Sequence, residues 1–170
     1  MTTFVIADLH LGHHKAATFR GFESTPQHDD AVCAAWCRTV GPQDRVFVLG
    51  DCAFTKDGLG RLSTLPGGKV IVVMGNHDSY HQLLSTRRFQ SFAGLREVVV
   101  EGAPIGIARG TQRLLGLSHA PLHPMEKARY SGNVHGHLHA ERIDDPWYRC
   151  VSVEQCPGLA PIDIETLFRV

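Results

Sequence analysis

Aspartate and histidine side chains recur in five short blocks that could together bind divalent metal ions. Carboxylate, imidazole and one amide group form a mixed oxygen and nitrogen ligand set, which suits Mn, Fe, Zn or Ni. None of the blocks supplies a thiolate from its ligand positions, so zinc is not singled out. In chain order the blocks are Asp8-Leu9-His10, Gly50-Asp51, Gly75-Asn76-His77-Asp78, Ser118-His119 and Gly136-His137-Leu138-His139. The sequence therefore predicts a two-metal hydrolytic site.

Four of the five blocks directly follow short apolar runs that are typical of buried strands. These runs cover residues 3–7, 45–49, 69–74 and 114–117. Strands buried on both faces read as continuous Val, Ile and Leu segments, and ligands bind where such strands end. We therefore expect the polar blocks to meet at one edge of a sheet.

Two pairs of these side chains have a spacing of two residues. Asp8 and His10, at the end of an extended strand, would point the same way and bind one ion together. His137 and His139 have the same spacing and could serve one metal each, and Gly136 allows the backbone to come close to the site.

Single residues complete the expected ligand shell. Asp51 is predicted to bridge the two ions, because a carboxylate has two oxygens and two-metal hydrolases hold their ions about 3.5–4 Å apart. Asn76 offers an amide oxygen and His119 an imidazole nitrogen to the same centre.

The five blocks resemble the calcineurin-like metallophosphoesterase superfamily, whose pattern is D-x-H, G-D, G-N-H-[DE], a lone H and G-H-x-H. The resemblance runs from Asp8 to His139, and residues 151–161 are similar to the closing strand of small bacterial and phage members. It implies an α/β fold, a two-sheet β-sandwich flanked by helices (αββα). It also implies two ligand sets: Asp8, His10, Asp51 and His139 for one metal, and Asp51, Asn76, His119 and His137 for the other.

The resemblance assigns a role in proton transfer to His77, which would contact the phosphate and protonate the leaving oxygen. Histidine titrates near neutrality and suits this role beside an anion. The implied reaction is in-line attack on phosphorus by a hydroxide that bridges the two ions. The implied cofactors are two divalent ions, with Mn²⁺ favoured and Fe, Zn, Ni or Mg as alternatives.

The sequence departs from the protein Ser/Thr phosphatases of this superfamily. They carry G-D-x-V-D-R-G, whereas Gly50-Asp51 is followed here by Cys52-Ala53-Phe54-Thr55, which weakens a protein-phosphatase interpretation. The residue that orients His77 stays open, with Asp78 as an adjacent candidate. Three further histidines, His13, His14 and His123, either assist catalysis or face solvent.

The remaining pattern predicts a βαβαβ first half followed by a β-rich second half, in one domain over residues 1–170. Residues 11–24 are expected to form a polar loop. Helices are predicted from Thr25, as N-cap, to about Val40, over 59–65 and over 79–89. A hairpin is expected between strands at 96–100 and 105–108.

Composition limits the partners. Seventeen basic and seventeen acidic residues give a formal net charge of zero, which disfavours stable nucleic-acid binding. No apolar run approaches the length of a membrane span, and no signal segment precedes the first strand, so we expect a cytoplasmic protein without a membrane partner. Oligomeric state is left open.

The function favoured from sequence is hydrolysis of small phosphodiesters, with nucleoside 2′,3′-cyclic phosphates as a leading candidate. A phosphomonoesterase or dinucleotide-polyphosphate hydrolase is the alternative. From another class of protein, a non-catalytic docking scaffold would keep the fold and lack the chemistry.

Overall fold

Nine strands form two sheets in residues 1–92, 94–101 and 112–168, which are the residues that the computed structural model describes. The first sheet has the order β4-β3-β2-β1-β9 and the second the order β5-β6-β7-β8. The strands are β1 Thr3–Ile6, β2 Arg45–Val48, β3 Lys69–Val73, β4 Gln90–Phe92, β5 Leu95–Glu101, β6 Gln112–Ser118, β7 Gly132–His135, β8 Tyr148–Cys150 and β9 Ile162–Asp163.

The described residues also form four α-helices: α1 His14–Phe19, α2 Thr25–Thr39, α3 Lys56–Thr64 and α4 Tyr80–Ser85. Short 3-10 helices follow at Pro124–Ala128, Val153–Gln155, Pro157–Leu159 and Ile164–Thr166.

The prediction of a polar loop over residues 11–24 is wrong, because α1 lies within it and buries Ala16 and Ala17. Helix α2 is confirmed, but its N-cap is Ser24, whose hydroxyl accepts a hydrogen bond from the N–H of Gln27. Helix α3 begins three residues before the predicted 59, because the Thr55 side chain caps it. Helix α4 is shorter than predicted and ends at Ser85.

The first sheet is parallel over β1 to β4, as the predicted βαβαβ opening requires, and β9 joins it antiparallel. In the second sheet β5 pairs antiparallel with β6, while β6, β7 and β8 are parallel. The predicted hairpin strand at 105–108 lies outside the described residues. Parallel strands place their carboxyl ends at one edge, which is where the polar blocks follow.

One hydrophobic core joins both sheets. It contains Ile6 and Val72 of the first sheet together with Leu117 and Val134 of the second, all fully buried. The two sheets also meet directly, since the N–H of Ala7 donates to the carbonyl of Val151. The predicted fold class is confirmed as two mixed sheets with flanking helices.

Helix α2 is anchored by Trp36, which is fully buried. Its indole N–H donates to the carbonyl oxygen of Pro66 at 2.8 Å, before β3. Trp36 therefore anchors α2 to the core and to the segment before β3. Within the described residues no helix has both the length and the apolar character needed to cross a membrane.

We expect Trp36→Ala to lower the free energy of unfolding by about 3–5 kcal/mol, because it opens a cavity and leaves the Pro66 carbonyl without its donor. Urea denaturation measures the change. The control is Phe19→Ala in α1, where the ring is 70% exposed, with an expected change within about 0.5 kcal/mol. Equal effects of the two substitutions would contradict the anchoring role.

Candidate metal centre

Five of the seven predicted ligands have left-handed backbone, which is rare for residues other than glycine. The φ angles are 56° for Asp8, 49° for His10, 52° for Asp51, 71° for His137 and 54° for His139. Strand β1 ends at Ile6, so Asp8 and His10 do not share a face on an extended strand. The expected convergence is present, but left-handed turns produce it. Strain of this kind, about 1–3 kcal/mol per residue, concentrates at functional sites.

Backbone hydrogen bonds join the first two of these turns. The N–H of Asp8 donates to Gly50 O at 3.0 Å, and the N–H of His10 donates to Asp51 O at 2.9 Å. The loop after β1 and the loop after β2 therefore have a fixed register. Their aspartates are held at the same place on the sheet edge.

Asp78 fixes the loop after β3 to the loop after β2. Its Oδ2 accepts from the N–H groups of Asp51 and Gly75, and its Oδ1 accepts from that of Cys52, each at 2.9 Å. Both oxygens are thus bound to backbone. The sequence analysis offered Asp78 as a candidate for orienting His77. Among the described residues, however, Asp78 joins the two loops and makes no hydrogen bond to the ring of His77.

Two glycines allow the loops to come this close. A Cβ on Gly136 would lie 2.6 Å from Asp8 Oδ2 and 2.5 Å from the Ala7 Cβ. A Cβ on Gly50, where φ is 89°, would lie 2.5 Å from His119 Nδ1. The expectation that Gly136 permits close approach is confirmed.

Asp8, His10 and His139 form the first half of the centre. One ligand atom from each can be chosen so that all lie within 4.8 Å of one another. The rings of His10 and His139 stack with centroids 5.1 Å apart. Burial, followed by the nearby Arg20 guanidinium, lowers the pKa of His10 to about 3. His10 is therefore neutral and has a lone pair available for a metal ion.

Asn76, His119 and His137 form the second half of the centre, and His119 contacts the other two. Its Nδ1–H donates to the carbonyl of Leu49 at 2.8 Å, so in the neutral ring Nε2 carries the lone pair. This Nε2 lies 2.9 Å from Asn76 Oδ1, 3.2 Å from His137 Nδ1 and 3.6 Å from Asp51 Oδ2. Nitrogen and oxygen atoms grouped this closely form an arrangement that a cation would stabilise.

Asp51 faces both halves through a single oxygen. Its Oδ1 accepts from the N–H of His77 at 3.0 Å. Its Oδ2 lies 3.7 Å from His10 Nε2 and 3.6 Å from His119 Nε2. Oδ2 is therefore the oxygen of Asp51 that could serve both halves, whereas the sequence analysis expected both oxygens to be used.

The donor set fits divalent cations. Asp8 is completely buried. Its Oδ2 accepts from Ser152 Oγ and from the N–H of His137, but Oδ1 accepts no hydrogen bond among the described residues and lies 4.0 Å from His119 Nδ1. An unpartnered buried carboxylate oxygen is costly unless it binds a cation. Asp8 also belongs to a second group that could hold a metal ion, with Asp51 and His119.

A second layer behind the ligands, which the sequence analysis missed, consists of Arg20 and Glu154. Arg20 Nη2 donates to Asp8 O at 2.6 Å, Nη1 donates to Leu9 O at 3.0 Å, and Nε donates to Glu154 Oε1 at 2.9 Å. The same Oε1 accepts from His139 Nδ1 at 2.9 Å, which directs His139 Nε2 away from it.

Glu154 is held in its charged form. Burial alone would raise its pKa, but the hydrogen bonds from His139 and Arg20 outweigh burial and lower the pKa to about 2. Arg20 directly follows α1, and Glu154 lies in the segment after β8. The two residues are 134 positions apart in the chain, so neither a motif nor a spacing could reveal their contact.

His77 lies at the exposed rim of the centre, beside the buried ligands. Its ring is 6.0 Å from that of His10 and 4.9 Å from that of Phe54. His13 lies at the same rim, stacked on Phe54. His14 is exposed in the first turn of α1, and His123 accepts a hydrogen bond from the N–H of Met125, capping a 3-10 helix.

Comparison with protein families matches residues 1–161 to the calcineurin-like phosphoesterases. The chain is 31% identical to the gene 66 protein of Mycobacterium phage L5 over 167 residues, covering 83% of the chain and 79% of that protein. It is 38% identical to the gene 66 protein of Mycobacterium phage D29 over 82 residues, covering 45% of the chain and 40% of that protein.

A protein of unknown function from Aquifex aeolicus has a similar solved structure. The TM-score is 0.69 at 22% identity, covering 95% of this chain and 94% of that one. This likeness concerns the fold alone. By the family match and the ligand groups at the sheet edge, the chain belongs to the calcineurin-like phosphoesterases and is a metal-dependent phosphoesterase.

We expect Glu154→Ala to weaken Mn²⁺ binding roughly 10- to 100-fold, because His139 loses the acceptor that fixes its ring. Calorimetric titration of metal-free protein measures the affinity, and circular dichroism checks the fold. Glu101→Gln, at an exposed position in β5, is the control and should leave affinity unchanged. Unchanged affinity in a folded Glu154→Ala protein would refute the positioning role.

Proposed function

We propose that the protein hydrolyses small phosphodiesters with two divalent metal ions, Mn²⁺ favoured, and that nucleoside 2′,3′-cyclic phosphates are its leading substrate class. The observation that carries the proposal is Asp51 Oδ2, which lies within 3.7 Å of imidazole nitrogens from both halves of the centre. A single oxygen in this position suits a bridge between two cations.

The proposed ligands divide along the two halves. Asp8, His10 and His139 would hold one ion, Asn76, His119 and His137 would hold the other, and Asp51 would hold both. When bound, such ions activate water and neutralise the phosphoryl oxygens.

His77 is the proposed general acid. The backbone N–H of His77 donates to Asp51 Oδ1, so the residue lies directly beside the proposed bridge. The side chain of His77 is exposed at the rim. A proton on the imidazole could therefore reach the leaving oxygen of a substrate whose phosphorus lies over the centre. Asn76 and His137 are exposed as well, so the phosphate can approach from solvent.

The open rim of the centre is consistent with the proposed small substrates. No strongly basic surface is needed for a single phosphodiester, in agreement with the zero formal net charge of the chain. A phosphomonoesterase or dinucleotide-polyphosphate hydrolase is the second candidate, since the same centre would accept a terminal phosphate. A docking scaffold would not need His77 at the rim.

The test is hydrolysis of bis-p-nitrophenyl phosphate and of p-nitrophenyl phosphate by metal-stripped protein resupplied with Mn²⁺, Mg²⁺, Zn²⁺ or no metal. We expect metal-dependent cleavage with the diester preferred. Preference for the monoester would favour a phosphomonoesterase or dinucleotide-polyphosphate hydrolase. Inactivity with two bound ions would favour a docking scaffold.

His77→Ala should lower turnover by roughly 10²- to 10⁴-fold, the usual contribution of a general acid, while the metal content stays near two ions per chain. Asp51→Ala should lose both ions, because it removes the shared ligand. Elemental analysis of the dialysed proteins, beside the kinetics, measures both quantities. Equal metal loss in the two variants would contradict the separate roles.

A further inference from the structure

An aromatic ring stands at the mouth of the metal centre with no part in metal binding. Phe54 is 40% exposed, although large apolar side chains are usually buried. Its ring centroid lies 4.9 Å from that of His77 and 5.3 Å from that of His10. An apolar surface is thus present immediately beside the proposed general acid.

A stacked ring and backbone hydrogen bonds restrict the position of Phe54. His13 stacks on Phe54 with centroids 3.8 Å apart and an interplanar angle of 17°. The N–H of Phe54 donates to Leu11 O at 2.8 Å, and the N–H of Leu11 donates to Cys52 O at 3.2 Å. Backbone pairing of the two loops and stacking of the two rings therefore restrict Phe54, which would reduce the entropy lost when a ligand binds.

We propose that Phe54, supported by His13, binds the nucleobase of a nucleoside cyclic phosphodiester and so determines which diesters are hydrolysed. The proposal rests on the proposed function and goes beyond it by naming the residue that selects the substrate. Aromatic side chains can stack on any of the nucleobases, because every base has a π face.

The position of the general acid decides on which side the base lies. The leaving oxygen must approach His77, so the ribose that carries this oxygen also lies on the His77 side. Phe54 is on that side. A groove of about 430 Å³, lined by Met74, Leu95, Pro121 and Leu122, instead borders His119 in the second half of the centre. It is the competing place for the base.

The experiment compares two substrates that differ only in the base: adenosine 2′,3′-cyclic phosphate and the 2′,3′-cyclic phosphate of methyl riboside. Each is assayed with Mn²⁺-loaded wild type, Phe54→Ala, Phe54→Trp and Leu95→Ala. Phe19→Ala, an exposed phenylalanine of α1, is the matched control. Calorimetric binding of adenosine 3′-monophosphate gives a readout that does not depend on turnover.

In Phe54→Ala we expect KM for the adenosine substrate to rise roughly 5- to 150-fold, the range that loss of one stacked base gives. KM for the methyl riboside should be unchanged, Phe54→Trp should restore the adenosine value, and binding of adenosine 3′-monophosphate should weaken in parallel with KM. The Phe19→Ala protein should behave as wild type.

Three results would overturn the proposal. Equal losses of kcat on both substrates would mean that Phe54 only positions His77. A selective rise of KM in Leu95→Ala, with none in Phe54→Ala, would place the base in the groove. Unchanged nucleotide binding in Phe54→Ala would exclude stacking. If wild type cleaves neither substrate, the proposed function fails, and nucleotide binding alone then decides whether Phe54 holds the base.

Discussion

Burial of two carboxylates, those of Asp8 and Asp51, is the constraint on which the rest of the structure depends. They are 0% and 3% exposed, and an ionised carboxylate in such a place costs several kcal/mol unless positive charge compensates it. The N–H of His137 and the hydroxyl of Ser152 satisfy one oxygen of Asp8, but its other oxygen accepts no hydrogen bond among the described residues. The neighbouring His10, with a pKa of about 3, carries no charge. Divalent cations would supply the missing charge, and the loops bring together the groups that could hold them.

The loops accept backbone strain to reach this arrangement, and rigid neighbours maintain it. Left-handed conformations occur at five of the seven predicted ligands, next to the backbone hydrogen bonds that join the loops. Asp78 ties two loops together through three backbone N–H groups. Arg20 and Glu154 support the centre from behind, through the backbone of Asp8 and the ring of His139. His77 and Phe54 lie at the exposed rim, beside the buried Asp8, His10, Asp51 and His119.

Much of this could be predicted from the sequence, because strand runs and ligand types are local signals. The strands before Asp8, Asp51, Asn76 and His119 are present, and these residues do meet at one edge. The reasons for the convergence were partly wrong, since a spacing of two residues says nothing about left-handed φ. Helix α1 was missed because its six residues carry too weak a periodicity. Glu154 could not be found, because a contact across 134 residues with Arg20 exists only in the folded chain.

The most direct test of the two-metal centre is anomalous diffraction from a crystal of the protein loaded with Mn²⁺. We expect two manganese peaks about 3.5–4 Å apart, both within coordination distance of Asp51 Oδ2, with Asp8, His10 and His139 around one and Asn76, His119 and His137 around the other. A single peak at full occupancy, or two peaks that do not share Asp51, would contradict the bridged centre.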